Sequence, residues 1–249
     1  MNPIIWRVEH FEEIDSTNTW LVQRAREGAA EGLVAFAEFQ THGRGRLERE
    51  WVAAPGTSLL CSILLRPQVD ANDLQLSVAG VALAARAALV RLCGVRPDLK
   101  WPNDLIVADA KIAGVLAEFV EGESPAVAVG IGVNLAPTGP DDTRATSVWQ
   151  EAGVHVAPRA LLDILLEELE PRRTMLESSE GRAALREEYT RALVTLGQRV
   201  RVYQLQGESR GVATGIDEVG RLLVDVDGVT TAFGSGDVVH LRPDMADES

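Results

Sequence analysis

Three arginines fall within the seven residues Gly43-Arg44-Gly45-Arg46-Leu47-Glu48-Arg49. Glycine lets backbone N–H groups approach an anion, and guanidinium forks pair with phosphate or carboxylate oxygens. The spacing is neither that of a Walker loop nor that of a dinucleotide fingerprint. A solvated basic turn would have the same composition. The second segment is Lys100-Trp101-Pro102-Asn103-Asp104-Leu105, followed by Lys111-Ile112-Ala113-Gly114-Val115-Leu116-Ala117-Glu118. Of the 24 basic residues, all but Lys100 and Lys111 are arginine. Arginine replaces lysine on a surface but not where a compact ammonium must fit a pocket. Lys111 opens a buried strand beside Gly114 and could bridge a carboxylate and a phosphate; a strand-end lysine could also simply reach solvent. Asn103-Asp104 could serve a ligand or only a turn.

Two smaller motifs complete the set. Gly130-Ile131-Gly132-Val133-Asn134 places two glycines in an apolar strand, leaving room for a flat ligand or for a packing bulge. Ser16-Thr17-Asn18 reads first as a helix cap.

The elements that must position these residues follow from patterning. A capped helix is predicted after Asp15, ending at Gly28, and a buried strand over 33–39. The Gly- and Arg-rich segment 40–49 is then a loop. Further strands are predicted over 58–65, 98–101, 105–107, 112–120 and 126–135, with a hairpin turning near Asp109. Helices are predicted over 72–93, 158–170 and 181–193. Composition shifts at Gly197: five short strands separated by Gly and Asp-Gly turns predict a small SH3-like barrel. The expected organisation is residues 1–195 as one α+β domain, 196–243 as the barrel and 244–249 as a polar tail. Helices are expected on one side of the main sheet.

The chain has 249 residues, 46% of them hydrophobic, with a net charge of −13. Such a composition is globular, and the charge argues against general binding to DNA while leaving room for a local basic pocket. The longest apolar run, around Val78–Val90, is interrupted by Arg86, so no membrane span is expected. No secretory signal is visible at the N-terminus. Cys61 and Cys93 sit at no metal-ligand spacing and read as buried free thiols of a reducing, cytoplasmic compartment.

With these pieces in order, the chain resembles the biotin protein ligases. The resemblance rests on Ser16-Thr17-Asn18, Gln40, Gly43-Arg44-Gly45-Arg46, Trp51, Lys100–Leu105, Lys111 and Gly130–Asn134, and it continues through the C-terminal β segment. It implies a class II aminoacyl-tRNA-synthetase-like, biotin/lipoate-ligase catalytic domain: α+β, with a mixed β-sheet and helices, plus the SH3-like barrel. It also implies a two-step reaction. Biotin and ATP give biotinyl-5′-adenylate and pyrophosphate, and the acyl group then passes to one lysine of a biotin carboxyl carrier domain of acetyl-CoA carboxylase or a related carboxylase. By resemblance, Lys111 and Arg46 are catalytic and Asp104 is a base or orienter. Ser16, Thr17, Asn18, Gln40, Gly43, Arg44, Gly45, Arg46, Trp51, Lys111, Gly114 and Gly132 bind biotin or its adenylate. Arg49, Trp51, Asn103 and Asn134 lie on the nucleotide side. By the same resemblance Asn103 and Asp104 lie on the metal side, and Mg²⁺ would arrive on the phosphates of ATP, keeping waters and few protein ligands. The nearest rivals are a lipoate or octanoate ligase and a non-catalytic biotin sensor of the same fold. There is no room before Ile14 for a helix-turn-helix, so a monofunctional enzyme is expected; monomer and homodimer both stay open. One departure stands out: Glu48 occupies a place where the family loop has glycine.

Overall fold

The computed structural model describes residues 4–46, 49–67, 74–122, 124–137, 144–204, 207–234 and 236–241. Glu48 and the C-terminal tail therefore lie outside the described residues. β1 (Arg7–Ile14) and β2 (Leu33–Gln40) pair in parallel, joined by α1 (Thr17–Arg26). Ser16 caps α1: its Oγ accepts from Thr19 N–H at 3.4 Å, which satisfies one of the orphan donors of the first turn. β3 (Ser58–Leu65) follows and is buried along its whole length, as its nearly unbroken apolar sequence requires. α2 (Leu74–Cys93), β4 (Asp98–Lys100), β5 (Asp104–Val107), β6 (Ala110–Val120) and β7 (Ala126–Asn134) complete the main sheet region.

The sheet order is β1-β2-β3-β7-β6-β5-β4, and every pair but β1–β2 is antiparallel. The sheet is therefore mixed. α3 (Val148–Ala152), α4 (Pro158–Met175) and α5 (Ser179–Ala192) follow it in the chain. Residue parity along β3 and β7 divides the two faces. Cys61, Ile63, Val129 and Ile131 join α2 and α4 in the larger core, whereas Leu64, Ala126 and Ala128 pack with Leu21 and Ala25 of α1. Helices thus lie on both faces, contrary to the one-sided arrangement expected. α1 is short, so it covers only part of its face, and the remainder is free to form a site.

The C-terminal strands are β8 (Arg199–Gln204), β9 (Gly207–Ile216), β10 (Leu222–Val226), β11 (Val229–Phe233) and β12 (Asp237–His240). They form an antiparallel sheet, ordered β11-β10-β9-β8-β12, of the SH3-like kind. Its inward residues Val200, Val202, Val224 and Phe233 belong to the same apolar cluster as the main-sheet face covered by α2 and α4. Trp101 also joins the two parts: its N–H donates to Thr195 Oγ1 at 3.0 Å, and its Nε1 donates to Gly220 O at 3.2 Å.

Two expectations change here. Strand β1 and helix α3 were not foreseen. The stretch Gln75–Cys93 is long and apolar enough to cross a membrane by length and composition, contrary to the reading of Arg86 as an interruption. Two thirds of that window is buried between the sheet and α4, so it is a core helix of this fold.

Candidate active site

On the α1 face lies a cavity of about 1110 Å³. Its lining includes six basic side chains (Arg44, Arg46, Arg49, Lys100, Lys111 and Arg144) against four acidic ones (Glu50, Asp104, Asp109 and Asp237). A chain of net charge −13 thus concentrates positive charge at one place, which favours an anionic ligand. The volume exceeds the roughly 300–1,000 Å³ of a site for one drug-sized molecule, leaving room for two reactants.

The floor is built by glycines. Gly114 and Gly132 stand opposite each other on β6 and β7, and the Trp51 indole lies on them. A Cβ at Gly114 would come within 3.2 Å of Trp51 Cζ3, and one at Gly132 within 2.7 Å of Cζ2. Only glycine allows this approach. Lys111 Nζ sits 5.5 Å from the centroid of the same ring and 2.6 Å from Asp104 Oδ1. The β5–β6 hairpin explains that pairing, since it sets Asp104 opposite Gly114 and Ile106 opposite Lys111.

One end of the cavity is polar and uncharged where it meets the wall. Gln40 Oε1 accepts from Thr17 N–H at 2.7 Å and from Thr17 Oγ1 at 3.0 Å. Thr17 has one hydroxyl proton, so Ser62 Oγ, 2.8 Å away, must donate to Thr17. Asn18 is 3% exposed, and its Nδ2 donates to Glu118 Oε2. Glu118 in turn accepts from Arg44 Nη1 at 2.8 and 3.0 Å. Ser16 lines this end, although its hydroxyl also caps α1.

The other end is charged. Arg46 Nη1 donates to Asn103 Oδ1 at 3.2 Å and to Gly236 O at 3.3 Å. Burial holds its guanidinium below the ordinary arginine pKa, and Asp104 partly offsets that. Arg49 pairs with Asp237. The arginine loop is therefore fastened to the C-terminal sheet, whose Tyr203, Val238 and Val239 also line the cavity. Gly45 N–H donates to Arg49 O at 2.7 Å and Trp51 N–H to Gly43 O at 2.9 Å, so the loop closes on itself. The Gly45 N–H expected to face an anion has this partner instead. Asn103 Nδ2 holds Val115 O at 2.7 Å, and Asn134 Nδ2 holds Thr146 O at 3.0 Å. Among the described residues, no group of three or more His, Cys, Asp or Glu could hold a metal ion.

The structure thus brings nearly all the residues singled out in the sequence to one cavity. Gly43 does not line this cavity: it is buried against Trp51 O and the Gln40 side chain and lines an adjoining cleft with His42, Arg44 and Arg46. Sequence reasoning gave no role to Glu118, the last residue of its second motif, and missed Ser62 and Asp237. Glu118 carried a signal: with Gly114 and Leu116 it shares one face of β6, and a charge there breaks an otherwise apolar pattern.

Residues 10–135 match the biotin/lipoate A/B protein ligase family, and residues 195–241 match the biotin protein ligase C-terminal domain. The chain is 36% identical over 246 residues to the biotin–[acetyl-CoA-carboxylase] ligase of Mycobacterium tuberculosis, covering 95% of this chain and 90% of that one. It is 32% identical over 232 residues to the bifunctional ligase/repressor BirA of Escherichia coli, covering 90% and 71%. The solved structure of the Aquifex aeolicus biotin protein ligase in complex with biotin and ATP superposes with a TM-score of 0.80 at 27% identity, covering 94% of this chain and 98% of that one.

Proposed function

The chain belongs to the biotin protein ligases of the biotin/lipoate A/B protein ligase family, and from that premise we propose that it makes biotinyl-5′-adenylate from biotin and ATP and passes the acyl group to one lysine of a biotin carboxyl carrier domain. The observation that carries this reading is the cavity's two ends: a neutral polar end at Thr17, Asn18, Gln40 and Ser62, and a cationic end at Lys111 and Arg46, joined by the glycine floor. A neutral cyclic urea suits the first end, and a carboxylate facing a triphosphate suits the second.

In this account step one brings two anions together. The biotin carboxylate oxygen attacks the α-phosphorus, the P–O bond to pyrophosphate breaks, and pyrophosphate leaves. Lys111 lies between the anions and offsets charge where it develops. Arg46 and Arg49 hold the phosphates, and the loop's attachment to β12 keeps water from the mixed anhydride. Trp51 offers a flat apolar surface to the base. In step two the carrier lysine attacks the acyl carbon, AMP leaves, and Asp104 orients the amine or takes its proton.

Mg²⁺ fits this donor set only as a companion of ATP. At the phosphate end, Asn103 Oδ1 and the carboxylates of Asp104 and Asp237 line the cavity, and all three already have cationic partners. An ion held mainly by phosphates and water suits them. It would neutralise triphosphate charge.

The test is transfer. The purified chain, ATP, Mg²⁺ and biotin are incubated with an isolated biotin carboxyl carrier domain, and the carrier's mass is measured. A single biotinyl addition at one lysine is expected. No addition, with biotin bound, would point to a sensor; addition of lipoate or octanoate instead would point to the rival ligases.

A further inference from the structure

Asn18 Oδ1 is a buried acceptor without a hydrogen-bond partner among the described residues. It lies against Gly130, where a Cβ would come 3.1 Å from Oδ1 and 3.2 Å from Ser62 Oγ. Asn18, Ser62 and Gly130 all line the neutral end of the cavity; Glu118 does not. Leaving a buried acceptor unpaired is costly, so the site is built to receive a donor there.

An amide has a donor end and an acceptor end, and something must choose between them. Here Glu118 chooses. A carboxylate offers acceptors only, so Asn18 must present Nδ2 to it, which turns Oδ1 toward Gly130 and Ser62, both of which line the cavity. Arg44 supplies two further hydrogen bonds to Glu118, balancing its charge and holding it in place.

We propose that Glu118 is a positioning residue that fixes the orientation of the Asn18 amide, making Asn18 Oδ1 the acceptor for a ring N–H of the bound cyclic urea. This rests on the biotin reading and extends it to ligand selection. A site that hydrogen-bonds a ligand N–H rejects a close isostere lacking it far better than an apolar pocket rejects an extra methylene. Arg44, on this account, serves the biotin end by restraining Glu118.

The test uses calorimetric binding of biotin and of its cyclic carbamate analogue, in which one ureido N–H is replaced by a ring oxygen. The KM for ATP in pyrophosphate exchange is measured alongside. Glu118→Leu should weaken biotin binding about tenfold or more and leave the KM for ATP within about twofold. It should also narrow the preference for biotin over the carbamate, because a freed amide can turn Nδ2 to the ring oxygen. Asn18→Leu combined with Glu118→Leu should bind biotin no more weakly than Asn18→Leu alone, since the two act as one unit. Glu118→Gln keeps the shape and serves if the leucine variant fails to fold; it should weaken biotin several-fold and narrow the same preference. Unchanged biotin binding in the folded variants, an equal rise in the KM for ATP, or additive effects in the double variant would overturn the proposal. A wild-type protein that binds no biotin would instead overturn the functional reading beneath it.

Discussion

Lys111 Nζ lies 2.6 Å from Asp104 Oδ1 and 5.5 Å from the centroid of Trp51, at the point where hairpin, glycine floor and arginine loop meet. The ammonium is held by one carboxylate and one ring, on the cavity side of β6. Lys111→Ala should lower the rate of adenylate formation by about a hundredfold or more, with biotin binding changed far less. Lys111→Arg should not restore the rate, because a planar fork does not fit a place shaped for a point charge. Single-turnover measurement of pyrophosphate release checks both.

Gly132 has no room for a side chain beneath Trp51. Gly132→Ala should displace the indole from the floor. The expected result is a rise in the KM for ATP of about tenfold, the order of a lost aromatic contact, with a smaller change for biotin. Steady-state exchange kinetics, together with Trp fluorescence reporting the new indole environment, check it.

Arg49 pairs with Asp237 across the loop and β12, and the Arg49 side chain is 64% exposed. With its arginine that exposed and its carboxylate 29% exposed, the pair contributes little to stability. Asp237→Ala should leave the melting temperature nearly unchanged. It should increase AMP production several-fold in the absence of acceptor, as a loosened loop admits water to the adenylate. Chromatographic measurement of AMP against intact adenylate distinguishes this from a slower first step.

His240 sits 3.3 Å from Thr195 Oγ1, and its pKa is lowered by burial first and by Lys100 second, with Asp109 acting in the opposite sense. Between its folded pKa and about 6.5, the unfolded chain binds more protons, so stability rises with pH through that interval and is fully present above it. Acidification below about pH 6.5 should therefore destabilise the wild type. His240→Gln should flatten that part of the profile. Urea unfolding at pH 5.5 and 7.5 checks the sign.

Much of this site was legible because its residues are clustered in sequence. Lys100 to Gly114 is one hairpin with its flanks, and the period of two along β6 and β7 puts Gly114 and Gly132 on one face. The continuous apolar runs of β3 and β7 announced central strands. What stayed hidden depends on contacts distant in the chain. Glu118 meets Asn18 and Arg44 only after the sheet forms, with separations of 100 and 74 residues. Asp237 meets Arg49 only when the C-terminal sheet docks. β1 was missed because it is an edge strand, mostly exposed, whose polar alternation resembles a loop. The two-faced placement of helices follows from the parity of β3, which an all-apolar strand conceals.

The central claim is that this cavity joins biotin to the α-phosphate of ATP. ATP–pyrophosphate exchange on the purified wild-type chain, run separately with biotin and with lipoate, tests it most directly. The account predicts exchange that depends on biotin and is absent with lipoate. Exchange supported by lipoate, or none with either acid, would contradict it.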